Sequence, residues 1–438
     1  MKQLLQINDN NINKISYFHI MLLMASMPFD RFYSHIILIS FILHTLINIR
    51  KEKLRLMFNI KTLVIQSVFF VSVIATLYTT YRPGAFGELG LRVPVLLFPL
   101  VFLFNDLDLK KYRPKLLLTF SFVCTATIVY LYANAAIAIR YYHLPFKTLF
   151  SPAFTNHNFS APIDMHATFF SLQLVIALSY LLTLLFKPLT YATKAFYSFC
   201  ICILLLGLVQ LSSKSILIVL FLLVNIVVPY CLLLGKNKIR FALVALLLSC
   251  IAFTVILNVS SFKERYLTSL KDDLSKATPG ESTDSRWARW HVVADLIKQK
   301  PLVGHGSGSE IPLLQDGFYN AHMYHSFLVG LNSHNQYLSF LVKSGIWGLL
   351  IYLLTLGYGL KISLKTKDLV FISFMMLVVI VSLSENMLDA DKGVMFYSLF
   401  FSFFLLTNNT EIKKPIEANK ESEYLSKVAT NSLVVTSY

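Results

Sequence analysis

Long apolar runs, separated by short polar connections, dominate the pattern of this chain. Most of these runs lack the polar face that a helix of a soluble protein repeats every turn. Their lengths suit helices that cross a bilayer. The runs cover about 16–29, 33–49, 61–80, 90–104, 116–139, 166–186, 195–212, 215–234, 240–259, 335–360, 368–386 and 393–407. The pattern therefore predicts an all-α, polytopic membrane protein with about twelve transmembrane helices.

One longer polar interval divides the apolar runs into two groups. The predicted organisation is about nine spans in 1–259, a loop in 260–334, about three spans in 335–408 and a disordered polar tail in 409–438. Within the loop, the spacing of apolar residues predicts a helix from Asp284 to Lys300, with Ser282 or Thr283 as its cap. We therefore expect one large loop that contains short helices.

Basic residues concentrate in alternate connections between the runs, as in 50–61, 110–115, 236–240 and 361–367. Because cytoplasmic connections are enriched in Lys and Arg, these connections and both termini are predicted to be cytoplasmic, and the loop 260–334 lies outside. This orientation pattern explains most of the net charge of +16. No contiguous basic surface interleaved with aromatic residues remains, so we expect no nucleic-acid partner.

Several cations fall at the predicted external ends of spans, where a charged side chain is costly and therefore a candidate for function. They are Arg82, Arg92, Arg140 and Lys214. Each also has a structural interpretation. Arg82 and Arg92 can pair with Glu88 at the surface, while Arg140 and Lys214 can extend to the lipid headgroups.

The predicted loop helix carries Arg286 and Arg289 on one face. Guanidinium groups near a helix N-terminus favour a phosphate ligand. The alternative is a helix that lies on the membrane surface. Glycines 304, 306 and 308 follow, and they either let backbone amides approach a ligand or only form a turn.

His334 precedes a predicted helix that begins at Asn335, with Ser333 or Asn332 as its cap. The positive end of a helix disfavours imidazolium, so His334 is a candidate neutral base, and Asn335 can orient it or bind a sugar hydroxyl. A histidine at a helix start also serves purely structural roles. His322 and His325 have metal-compatible spacing but lack cysteines or an acidic cluster nearby, so no metal site is predicted.

The order of these motifs resembles the O-antigen ligase and polymerase superfamily, a group of bacterial membrane glycosyltransferases. The motifs are Arg286-x-x-x-Trp290, Pro301-Leu302-Val303-Gly304-His305-Gly306, His334-Asn335-Gln336-Tyr337-Leu338 and Gly345-Ile346-Trp347-Gly348-Leu349. The resemblance covers roughly 282–350. Weaker support comes from the hairpin around Lys214 and from His166 at the start of the sixth span.

The resemblance implies a metal-independent, inverting transfer without a cofactor. A glycan on undecaprenyl diphosphate would pass to a hydroxyl of lipid A-core or another acceptor, at the periplasmic face of the inner membrane. By this resemblance Arg286 neutralises the diphosphate and His334 deprotonates the acceptor. Lys214 stands where the family commonly has arginine, which puts bidentate phosphate binding there in doubt.

Several alternatives stay open. One dominant external loop favours a ligase over a polymerase or a protein O-oligosaccharyltransferase of the same superfamily. A transporter of lipid-linked glycans would be expected to show internal repeats and charges in mid-membrane. A metal-dependent glycosyltransferase would need an early external acidic residue, for which Asp30 is placed, although Asp30 also suits a helix cap.

Overall fold

The computed structural model describes residues 2–275 and 285–408. Within these ranges the chain is helical and contains no strand, which confirms the all-α prediction. The described residues up to Thr407 form one compact unit. The predicted tail 409–438 and the predicted caps Ser282 and Thr283 lie outside the described residues.

Twenty α-helices make up the described ranges. They are α1 (Lys2–Leu5), α2 (Asn11–Ser26), α3 (Arg31–Ile47), α4 (Ile60–Tyr78), α5 (Arg82–Phe104), α6 (Leu109–Tyr141), α7 (His157–Ser160), α8 (Ala167–Leu185), α9 (Tyr191–Leu211), α10 (Lys214–Leu222), α11 (Val228–Leu232), α12 (Asn237–Leu257), α13 (Ser260–Lys263), α14 (Ser269–Leu274), α15 (Arg286–Gln299), α16 (Glu310–Asn320), α17 (Tyr324–Val329), α18 (Gln336–Thr366), α19 (Leu369–Val381) and α20 (Asp391–Thr407). Short 3₁₀ helices occupy Lys51–Phe58, Phe146–Phe150, Pro152–Phe154, Ala161–Ile163 and Met387–Asp389. Two π-helical turns, Leu223–Val227 and Glu264–Thr268, join α10 to α11 and α13 to α14.

Eight helices of the described part are long and apolar enough to cross a membrane: α4, α5, α6, α8, α9, the joined helix Lys214–Leu232, α12 and α18. The chain is therefore a polytopic membrane protein. Each of the other four predicted spans also falls on a helix, but α2, α3, α19 and α20 are only 16, 17, 13 and 17 residues long. A count of twelve spans stays a prediction.

The most buried helices are α8, α19 and α20, whose side chains form the apolar core. Phe396, Phe400 and Phe404 stack along α20, and Phe374 of α19 packs against this row. By contrast, α12 buries only Ala245 and exposes its apolar side chains on the outside of the bundle. An apolar outer surface of this kind suits contact with lipid.

Helix α18 is kinked at Gly345, whose φ of 61° and ψ of −161° suit only glycine. The kink leaves carbonyls of the first half without helical partners. The glycine-rich turn after α15 satisfies them: the N–H of His305 donates to Val342 O at 2.8 Å, and that of Gly306 to Lys343 O at 2.8 Å. The amide of Gly304 likewise donates to Lys300 O. The amides of Gly304 and Gly306 are therefore occupied by backbone carbonyls and are not presented to a ligand.

Helix α15 begins at Arg286, two residues after its predicted start at Asp284. Ser285 is its cap, because its hydroxyl accepts the N–H of Ala288 at 3.2 Å. A small apolar core joins α15 to α16 and to the start of α18, through Val293, Leu296, Leu314, Phe318 and Val342. This packing fixes Arg286, at the N-terminus of α15, relative to the residues that precede α18.

Candidate active site

Two of the predicted cations meet at one carboxylate. Lys214, the first residue of α10, donates to Asp273 Oδ2 at 3.0 Å. Arg286, the first residue of α15, places Nε 3.8 Å from Asp273 Oδ1 and donates through Nη1 to Ser384 O at 3.2 Å. The aspartate belongs to α14, in the segment predicted to be the large loop. Residues distant in sequence therefore form one charged cluster.

Arg265 is a third cation in this cluster, and the sequence analysis did not identify it. The charges of Asp273, Arg286 and Glu385 all act on its guanidinium group. Burial lowers the pKa of Arg265, and the two carboxylates act in the opposite direction. Its Nε is buried, with no acceptor in the described part of the chain. Such a donor is available to an anionic ligand.

The sequence offered little indication of Arg265, because it lies in the π-helical turn Glu264–Thr268. A π turn inserts an extra residue into the helical repeat and shifts the faces on either side of it. A search at ordinary helical spacing therefore does not align Arg265 with Asp273. Such turns occur frequently at functional sites, but this one is seen only in the structure.

His334 lies beside Glu385, with Nδ1 3.5 Å from Oε2. Burial alone raises the pKa of Glu385, but the contact with His334 and the charge of Arg286 act in the opposite direction, and the pKa lies below the usual value. Glu385 follows α19 and is 51 residues from His334 in sequence. It was not among the predicted site residues.

Asn335, not Ser333 or Asn332, caps α18. Its Oδ1 accepts the N–H groups of Tyr337 and Leu338 at 3.0 and 3.1 Å. The predicted caps are therefore wrong. Asn332 instead accepts the N–H of His334 at 2.9 Å. The cap occupies the amide oxygen of Asn335 that was considered for a sugar hydroxyl.

His166 precedes α8, and Glu385 and His334 both act on it electrostatically. Burial lowers the pKa of His166 to about 4, although Glu385 acts in the opposite direction. Its ring centroid is 4.2 Å from that of His157, another residue that the sequence analysis missed. Burial also lowers the pKa of His157. Both imidazoles are neutral at neutral pH.

The remaining predicted residues lie elsewhere. Arg82 and Arg140 are exposed, and Arg289 is buried on α15. Arg92 is buried and pairs with Asp389 at 2.5 Å, so the predicted surface pair with Glu88 is wrong. Asp30 accepts the N–H of Phe32 at 2.7 Å and caps α3, which confirms its structural interpretation.

A second group of charges, which we call the buried ion network, consists of Arg92, Lys343, Glu88, Glu310 and Asp389. Lys343 Nζ lies 2.9 Å from Glu88, 3.2 Å from Glu310 and 2.8 Å from Asp389. Burial raises the pKa of Asp389, but Lys343 and Arg92 outweigh it and hold the pKa well below the usual range.

The cluster of Lys214, Arg265 and Arg286 suits a ligand with several negative charges, because fixed cations stabilise phosphate oxygens. The pair of His334 and Glu385 suits proton transfer, since a carboxylate on one ring nitrogen leaves the other to accept a proton. The two groups interact electrostatically, because the charge of Glu385 acts on Arg265 and the charge of Arg286 acts on Glu385. The arrangement therefore suits an anionic ligand beside a proton acceptor.

A family model described as O-antigen ligase matches residues 178–353 of the chain. The matched segment contains Lys214, Arg265, Arg286 and His334, while His166 and Glu385 lie outside it. A comparison with curated proteins gives no match. The match supports the resemblance of this segment to the O-antigen ligase and polymerase superfamily.

Proposed function

We propose that this protein is an O-antigen ligase-type glycosyltransferase, which transfers a glycan from undecaprenyl diphosphate to a hydroxyl of lipid A-core. The matched family supports a reaction of the ligase or polymerase type. The observation that carries the proposal is the convergence of Lys214, Arg265 and Arg286 next to the pair of His334 and Glu385.

The donor diphosphate binds where Asp273 now contacts Lys214 and Arg286. In the absence of donor this carboxylate balances charges that would otherwise repel one another. An arriving diphosphate takes over those contacts and also reaches the buried Nε of Arg265. The three cations then stabilise the charge that develops on the leaving group, and this role requires no metal ion.

His334 acts as the base for the acceptor. A proton on Nδ1 faces Glu385, so the lone pair of Nε2 accepts the proton of the acceptor hydroxyl. The acceptor oxygen attacks the anomeric carbon while the bond from that carbon to the phosphate oxygen breaks. Undecaprenyl diphosphate departs with the bonding electrons. Attack opposite the leaving group inverts the anomeric configuration.

The proposed site faces the periplasm of a bacterial inner membrane, with both termini in the cytoplasm. The alternation of basic connections along the sequence supports this orientation. Lys214, Arg286 and His334 all stand at or just before helix starts, and the joined helix Lys214–Leu232 and α18 are among the helices that can span the bilayer. The site therefore lies beside the ends of spans, where a lipid-linked diphosphate is located.

The lipopolysaccharide pattern on a gel, after deletion of the gene, tests the proposal. A ligase deletion abolishes all capped lipopolysaccharide and accumulates polymer on undecaprenyl diphosphate. Capping by a single repeat unit would instead identify a polymerase. Unchanged lipopolysaccharide with loss of a protein glycan would identify a protein O-oligosaccharyltransferase. Accumulation of donor on the cytoplasmic face alone would indicate a transporter.

A further inference from the structure

The loop before α18 is held by three consecutive backbone amides. Each donates to a side-chain oxygen: Ser333 to Glu310 Oε1 at 3.0 Å, His334 to Asn332 Oδ1 at 2.9 Å, and Asn335 to Asn386 Oδ1 at 2.8 Å. Backbone amides in a loop ordinarily bind water or other backbone groups. Here the direction of the backbone depends on side chains of α16, of the loop itself and of the segment after α19.

His334 needs this support because its φ is 46°, in the left-handed region. A residue with a Cβ is strained there. Such strain persists only where surrounding contacts fix the conformation, and it is frequent at functional sites. The conformation brings the imidazole of His334 to Glu385.

The two distant acceptors are themselves buried and joined. Glu310 is 1% exposed and Asn386 is 4% exposed. Asn386 Nδ2 donates to Glu310 Oε1 at 2.9 Å, and the hydroxyl of Ser333 donates to the same oxygen at 2.8 Å. Neither acceptor can turn away without leaving a buried polar group unsatisfied, which destabilises the fold.

The other oxygen of Glu310 connects this support to the buried ion network. Glu310 Oε2 accepts the hydroxyl of Ser339 at 2.5 Å and lies 3.2 Å from Lys343 Nζ. Burying such charges is costly, and apolar replacements of buried ion pairs are often neutral or stabilising. Stability alone therefore does not explain the network, whereas fixing a loop in one conformation does.

We propose that Glu310 and Asn386 are positioning residues, which hold the backbone of residues 333–335 so that the His334 imidazole faces Glu385 and the acceptor hydroxyl. Lys343 of the buried ion network holds Glu310 in place. This inference rests on the proposed role of His334 as the base. It adds residues that touch neither substrate and act only through His334.

Glu310→Gln in the full-length purified protein tests this inference, because the substitution keeps the size of the side chain and removes its charge. The assay uses a polyprenyl-diphosphate-linked O-antigen as donor and rough lipopolysaccharide as acceptor. We expect kcat to fall roughly 10- to 100-fold, as for a small displacement of a catalytic group, with the KM for donor unchanged. In a His334→Ala background, Glu310→Gln should cause no further loss, since its effect passes through His334.

Two further variants complete the test. Arg113→Gln breaks an ion pair with Asp368 at the start of α19, away from His334, and should keep full turnover. Ser333→Ala removes one hydroxyl from Glu310 and keeps the backbone amide. Ser333→Ala should lower kcat by a smaller factor, and it should have no effect in the His334→Ala background. If Glu310→Gln does not fold, Ser333→Ala alone tests the inference.

Full turnover in folded Glu310→Gln and Ser333→Ala would overturn the inference. So would losses that multiply with that of His334→Ala, because they would show a general structural effect. In both cases a poorly active His334→Ala leaves the proposed function intact. Near-normal turnover in His334→Ala alone would remove the proposed base and this inference with it.

Discussion

The three cations of the site differ in the way they can hold phosphate. Arg286 offers a planar fork, one nitrogen of which binds Ser384 O at 3.2 Å and so fixes the plane of the group. Lys214 offers a compact charge that already contacts Asp273 at 3.0 Å. The fork of Arg286 can bind two phosphate oxygens, whereas the ammonium of Lys214 supplies charge without a fixed direction.

We therefore expect Arg286→Ala to abolish transfer and Arg286→Lys to be badly impaired, while Lys214→Ala is weakened less and Lys214→Arg stays active. The measurement is the amount of capped lipopolysaccharide in a deletion strain, normalised to protein in the membrane. Wild-type activity in Arg286→Lys would reduce the role of Arg286 to simple charge. Wild-type activity in Arg286→Ala would remove it from the site.

His334→Ala should depress kcat by a hundredfold or more, the order of magnitude of general-base catalysis. The KM for donor should change little, because the diphosphate is held by cations on other elements. Steady-state kinetics of purified protein measure both quantities. A variant that folds poorly but keeps its turnover per folded molecule would show that His334 only supports the structure.

His166 gives stability a dependence on pH. Its pKa is about 4 in the folded protein against an ordinary 6.5, so between these values the unfolded chain binds a proton that the folded chain excludes. Stability therefore falls as pH drops through this window. His166→Gln should show a shallower loss of Tm from about pH 7 to about pH 5. His325→Gln, at an exposed histidine, serves as the control and should retain the wild-type slope.

At the scale of elements, the apolar runs were sufficient to predict the long helices, because most residues of each run are apolar over a length that suits a helix in a membrane. The site was harder to predict, since it depends on contacts between elements. Ser333 and Asn335 are both good cap residues, and Glu310, from another helix, engages Ser333. The pairing of His334 with Glu385 likewise requires knowledge of how the start of α18 lies against the end of α19.

The kink of α18 provides the test at this scale. A Cβ on Gly345 would lie 2.2 Å from Leu302 O, in a backbone conformation that L-residues rarely adopt. Gly345→Ala should therefore destabilise the protein by about 1–3 kcal/mol or more. Gly357→Ala in the same helix meets nothing within 4 Å and should cause no loss. Thermal unfolding in detergent compares the two, and equal stability would show that the kink is not required.

For the whole molecule, the decisive property is orientation. The cluster of cations interacts electrostatically with the pair of His334 and Glu385. We therefore expect donor binding and acceptor activation on the same side of the membrane. The distribution of Lys and Arg among the connections predicts that this side is the periplasm.

Reporter tags measure that orientation. A tag at Gly235, between α11 and α12, should report cytoplasm, because the connection is basic. A tag at His143, after α6, should report periplasm, as should one near Thr278 in the predicted loop. A cytoplasmic report from His143 would place His157 and His166 on the wrong side and contradict the whole assignment.

The carboxylate of Asp273 has a further consequence for how donors are distinguished. A polyprenyl monophosphate sugar carries one negative charge and gains little by replacing a carboxylate that already contacts Lys214 and Arg286. A polyprenyl diphosphate sugar carries two charges on adjacent phosphates and can engage Arg265 as well. Under the proposed function, we therefore expect the site to prefer diphosphate carriers to monophosphate carriers because of the number of their charges.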